Sequence, residues 1–175
     1  MVYDREGLRE AILALGQSWS PEEVAVKTTA QLYRIYWPWN IRFIPCWEIP
    51  AFLGGSNLIP VRKGGVQQVM LGVLGRAPVV DEWNHGVENL SEGDFGTFLD
   101  GVAVSLGQAQ DPLVFPEALA LVTAHEIGHC LGLYHLNGTR DLCLNPGMTR
   151  ENVRTPRWSA EEQAYLDRIL GSRPR

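Results

Sequence analysis

The segment 116–132, PEALALVTAHEIGHCLG, constrains this chain more than any other. It begins with Pro and Glu, both suited to the first turn of a helix, and it stops at Gly132. In between it is apolar almost all round, the pattern of a helix buried on every side. Within its second half the apolar run is broken by His125, Glu126 and His129. A buried polar group is costly unless something satisfies it. Whatever surrounds this helix must therefore include a partner for two imidazoles and a carboxylate.

The spacing names the partner. His125 and His129 are four residues apart, so both rings leave the same face of a helix about one turn apart. Two neutral imidazole nitrogens so arranged reach one zinc ion at ~2.0–2.1 Å. Glu126, beside the first histidine, can hang its carboxylate over a water in the fourth zinc position. A straight helix would carry His135 round to a different face. Gly132 can take a left-handed conformation without a Cβ clash, end the helix and turn the chain back, so that His135 approaches the same metal. Three histidine ligands leave one position open, the catalytic rather than the structural zinc pattern. Three of the chain's four histidines fall in this stretch. Packing them with the glutamate in a metal-free core would leave an unpaired buried carboxylate.

The run HEIGHCLGLYH over 125–135 resembles HExxHxxGxxH, the signature of the metzincins, a clan of zinc peptidases that includes matrixins, astacins, adamalysins and archaemetzincins. Ile127-Gly128 and Leu131-Gly132-Leu133 are similar to the usual filling of the motif in matrixins and archaemetzincins. The order of backing helix, sheet, active-site helix, loop and final helix is similar to the clan over most of the chain. The resemblance implies an α+β zincin fold and a single catalytic domain over 1–175. An upper lobe (1–135) would hold a twisted mixed sheet with the backing and active-site helices. A cleft would separate it from a small lower lobe (136–175) with a Met-turn and a terminal helix. It further implies a metalloendopeptidase with one catalytic zinc on His125, His129 and His135, Glu126 as general base, and a peptide or protein substrate extended along an edge strand. For the Met-turn, Met148 in Asn145-Pro146-Gly147-Met148 is favoured, since Pro-Gly is a good turn; Cys143 is the alternative beneath the zinc. The chain departs from each family's markers. Leu136 follows the third histidine where matrixins carry Ser, astacins Glu and adamalysins Asp. Three cysteines without a CxxC pair cannot build the second zinc site of archaemetzincins, and no tyrosine follows Met148 closely as in astacins. The resemblance thus assigns the clan and not the family.

The rest of the chain reads as support. Residues 4–16 have helical spacing, with Leu8, Ile12 and Leu15 on one side and Gly16 as a stop. Ser20-Pro21-Glu22-Glu23 is a strong helix start; that helix should run to about Trp37, ended by Pro38, with Val24, Thr28, Leu32 and Ile35 facing the core. Residues 40–49 alternate in part and contain Pro45, which predicts an edge or bulged strand. Strands are expected over 66–74 and 101–106, with 75–100 mostly loop and at most brief strand between them. Residues 136–157 are irregular. Ser159-Ala160-Glu161-Glu162 fits a capping box, with a last helix to about Leu170.

Composition excludes several classes. With 175 residues and a hydrophobic fraction of 45%, the chain can bury a core of one domain. A formal net charge of −5 argues against a nucleic-acid or anionic-membrane surface. No apolar run approaches the roughly 20 residues that span a bilayer. The N-terminus has no signal-peptide pattern, which predicts a cytoplasmic protein, or a secreted one whose leader was removed. Cys46, Cys130 and Cys143 are too few for a disulfide framework and fit a reducing compartment, with a Cys130–Cys143 bridge left open. Cys46 and Cys130 read as small buried apolar residues. A monomer is expected. His85 with Glu88, Glu92 and Asp94 reads as a solvated acidic loop, with a second metal site as the alternative; the spacing matches no calcium loop, so calcium has no support there. Tyr134, beside the third ligand, reads as packing, with donation to a substrate or transition-state oxygen as the alternative. Two further readings stay open: a zinc-binding structural or peptide-binding module without turnover, against which the intact Glu126 speaks, and a zinc hydrolase of a non-peptide substrate.

Overall fold

Local capping signals set the helices. The computed structural model describes residues 1–48, 59–64, 73–77, 96–109, 114–134 and 153–171. Helix α1 (Arg5–Ala14) starts at Asp4, whose side chain accepts from the Gly7 N–H. Helix α2 (Pro21–Ile35) opens on a complete capping box: Ser20 accepts from the Glu23 N–H, and the Glu23 carboxylate accepts from the Ser20 N–H. It ends two residues earlier than expected, and Val24, Thr28, Leu32 and Ile35 are all buried. Helices α3 (Leu99–Ala109), α4 (Phe115–Cys130) and α5 (Ala160–Leu170) follow, α5 with a second capping box between Ser159 and Glu162. Among the described residues, no helix is long and apolar enough to cross a membrane.

Among the described residues, four short strands form one mixed sheet, giving an α+β architecture. In chain order they are β1 (Val2–Tyr3), β2 (Pro60–Arg62), β3 (Gly75–Arg76) and β4 (Gly96–Phe98). The spatial order is β1-β2-β4-β3. β1, β2 and β4 run parallel, while β3 is antiparallel to β4, with Gly75 opposite Thr97 and Arg76 opposite Gly96. β3 is thus an outer strand among the described residues.

α4 sits at the centre, packed against α2, α3, β3 and β4. Apart from half-buried Glu117, every residue from Phe115 to Cys130 is buried. Hydroxyls tie this apolar rod to its neighbours. Thr28 of α2 donates to the Pro116 carbonyl at 3.2 Å, and Tyr36, which caps the C-terminus of α2, donates to the Ala124 carbonyl at 2.9 Å. Thr97 of β4 and Thr123 share a hydrogen bond of 2.8 Å. At the far end, Trp158 packs edge-on against Tyr36 and Trp39, and its indole N–H donates to the Ile35 carbonyl at 2.9 Å. The Trp39 indole donates to Asp167 of α5 at 2.8 Å, which docks the terminal helix on the end of α2.

Several expectations are corrected. Residues 101–106 are not a strand but the middle of α3. Leu99, Val102, Ala103 and Leu106 are buried while Val104 is 45% exposed, the i, i+3, i+4, i+7 period of a helix face. The segment expected as a strand over 40–49 makes only an isolated parallel bridge, Cys46 to Val2, within its described part; Pro45 has no N–H to extend the ladder. The expected strand over 66–74 lies outside the described residues except for Val73 and Leu74, which lead into β3 without belonging to it. β1 has no counterpart in the sequence reading, since two residues are too short to show a period. Cys130 is buried as expected, but Cys46 is half-buried and its thiol donates to the Met1 carbonyl at 3.0 Å.

Candidate metal centre

The end of α4 builds the candidate site. Gly132 has a φ of 99°, the left-handed side that its sequence position called for. Its N–H donates to the His129 carbonyl at 2.9 Å, and the Leu133 N–H donates to the Gly128 carbonyl at 2.9 Å. This pair of bonds is a Schellman motif, which satisfies the last helical carbonyls while folding the chain back. The fold-back has a chemical consequence. It presents the Leu133 carbonyl to the His129 ring, with Nδ1 at 2.6 Å. A carbonyl only accepts, so Nδ1 carries a proton, and in the metal-binding tautomer the lone pair is on Nε2, turned away from Leu133.

That lone pair faces His125. The two Nε2 atoms are 3.0 Å apart, with the ring centroids at 4.5 Å and the planes at 82°. Both rings are buried. Two converging nitrogens at this distance share either a proton or a cation. Two nitrogens bound to one tetrahedral zinc at ~2.0–2.1 Å would lie about 3.3 Å apart, close to what is seen. The donor set therefore fits zinc. The bond from His129 to a backbone carbonyl is the outer contact that fixes the tautomer of a metal-binding imidazole.

Glu126 points elsewhere. It is 6% exposed and accepts a hydrogen bond from the Ala77 N–H, just beyond β3. Burial pushes its carboxyl up to about 8 from the ordinary 4.5, and the Ala77 bond only partly offsets this. A cation near the carboxyl would act in the opposite direction. Among the described residues, no three His, Cys, Asp or Glu side chains come together as a ligand group.

His135, Met148 and Cys143 lie outside the described residues, as do Leu136, His85, Glu88, Glu92 and Asp94. The chain leading to His135 is well held, since Tyr165 of α5 donates to the Leu131 carbonyl at 2.8 Å. Tyr134, expected to pack, is instead 49% exposed. It borders a recess of about 180 Å³ between the Gly132–Leu133 turn and the first turn of α5. That is smaller than the roughly 300–1,000 Å³ of a small-molecule site. Sequence reasoning missed Ala77 and Leu133 because both act through backbone atoms, which leave no residue-type signature. Comparison of the chain with family models, with curated proteins and with solved structures gave no match.

Proposed function

We propose that the chain is a zinc-dependent endopeptidase of the metzincin type, with His125, His129 and His135 as the ligands and Glu126 as the general base. The observation that carries this reading is the convergence of two buried imidazole Nε2 atoms at 3.0 Å, with a buried carboxyl one residue from the first of them. When bound, zinc supplies Lewis-acid polarisation of the scissile carbonyl and an acidified water. Glu126 would take a proton from the attacking water and hand it to the departing amine. The Ala77 N–H steadies the carboxylate between the two transfers. The Leu133 carbonyl keeps His129 in the tautomer that offers Nε2. β3, which is an outer strand among the described residues and runs past Glu126, would offer its edge to an extended peptide.

The test is cleavage of a diverse peptide library by the zinc-loaded protein, read by mass spectrometry beside Glu126→Ala. Defined cuts are expected from the wild type, and a fall of about 10²–10⁴-fold in the variant at unchanged zinc content. Equal cleavage by both proteins would remove Glu126 from the mechanism. Stoichiometric zinc with no cleavage by the wild type would favour a non-catalytic zinc module.

A further inference from the structure

We propose that Gly75 on β3 is a positioning residue for Glu126: its missing side chain is the space in which the carboxylate sits, and the Ala77 N–H two residues on holds it there. The functional consequence rests on the reading of Glu126 as the base; the geometry does not. A Cβ at Gly75 would lie 2.6 Å from Glu126 Oε1, 2.8 Å from Glu126 Cγ and 2.9 Å from Val122 Cγ1. All three are closer than a real Cβ tolerates, so something must move.

The surroundings decide what moves. β3 cannot back away. Gly75 is registered opposite Thr97, and Thr97 is bonded to Thr123 of α4, one turn before Ile127. The Phe98 N–H also donates to the Leu74 carbonyl at 2.8 Å, directly before Gly75. Val122 is buried and β-branched, with one strongly preferred rotamer in a helix. Of the two side chains that make these three contacts, the carboxylate arm of Glu126 is the softer. A methyl group at position 75 therefore displaces the carboxylate from the Ala77 N–H while leaving the histidine pair, on another part of the helix surface, where it is.

The test compares wild type, Gly75→Ala and Glu126→Ala by ¹⁵N–¹H NMR without metal. The Ala77 amide resonance is expected to move in Gly75→Ala towards its position in Glu126→Ala. An Ala77 amide that stays at the wild-type position in Gly75→Ala overturns the proposal. In the zinc-loaded enzyme, Gly75→Ala should lower kcat by up to ~10²-fold with KM and zinc content unchanged, the cost of a misplaced reacting group. A raised KM with unchanged kcat would overturn it as well. If the wild type cleaves nothing, the peptidase reading fails, and the amide shift still decides the positioning role. Should Gly75→Ala not fold, the same change is made in the Glu126→Ala background, where of the three close contacts only that with Val122 Cγ1 remains. That double variant is expected to fold, and its failure to fold would assign Gly75 to the backbone and overturn the proposal.

Discussion

The front of α4, residues 115–124, and the stretch from His125 to Leu133 belong to one helix and its turn, yet they are held by different forces. The front is apolar, and its ties to the rest of the molecule are hydroxyls donated to or shared with helical groups: Thr28 to Pro116, Tyr36 to Ala124, Thr97 with Thr123. The far end buries two imidazoles and a carboxyl, and answers them with a backbone N–H from Ala77, a backbone carbonyl from Leu133, and each other. Burial of that kind costs stability rather than supplying it. The front thus makes a rigid rod that needs no metal, and the far end uses that rigidity to hold groups that would otherwise be expelled. This division predicts that stability and metal binding can be broken separately.

The largest effect on stability belongs to the front. Leu119 is fully buried, and Leu119→Ala should destabilise the protein by about 2–5 kcal/mol in chemical denaturation. The zinc stoichiometry of the folded variant should not change; a lost site with intact stability would erase the distinction between the two regions. His129→Ala is the converse. It should abolish zinc binding and with it roughly 3–4 kcal/mol of stabilisation seen at zinc concentrations 100 to 1,000 times the Kd. The metal-free protein should change far less, and equal losses with and without zinc would contradict this. Thr123→Val is expected to cost about 1–2 kcal/mol, since it leaves the Thr97 hydroxyl buried without its partner. A double-mutant cycle with Thr97→Val checks it, and additive effects would mean that the bond contributes nothing.

The subtlest effect is on pH dependence. In the metal-free protein the folded state holds the Glu126 proton up to about pH 8, whereas an ordinary carboxyl loses it near 4.5. The folded chain therefore binds this proton more tightly than the unfolded one. The stability it contributes is complete below pH 4.5 and declines as pH rises through 4.5 to about 8. Glu126→Gln should lack that decline. Thermal melts of the two metal-free proteins across this window give the difference directly; parallel curves would contradict the assignment.

What was legible in the sequence follows the same line between local and non-local causes. Ser20-Pro21-Glu22-Glu23 and Ser159-Ala160-Glu161-Glu162 announce helix starts because a cap is made by residues within one turn of each other, and both boxes are formed. Gly132 announces the fold-back because only a local conformational demand is involved. The stretch 101–106 was misleading because Val102 and Val104 alternate like a strand. The helical period shows only when Leu99 and Leu106 are read with Val102 and Ala103. The partners of Glu126 were not legible at all. Ala77 reaches it through an N–H and Gly75 through the absence of a side chain, and both contacts cross roughly fifty residues of chain that no local pattern encodes.

The most direct test of the account is X-ray absorption at the zinc edge of the loaded protein, with His135→Ala alongside. The account predicts one zinc per chain, three imidazole nitrogens and one oxygen at ~2.0–2.1 Å, with the imidazole count falling by one in the variant. A sulfur at ~2.3 Å, a closed shell of four protein ligands, or a spectrum that His135→Ala leaves unchanged would contradict it.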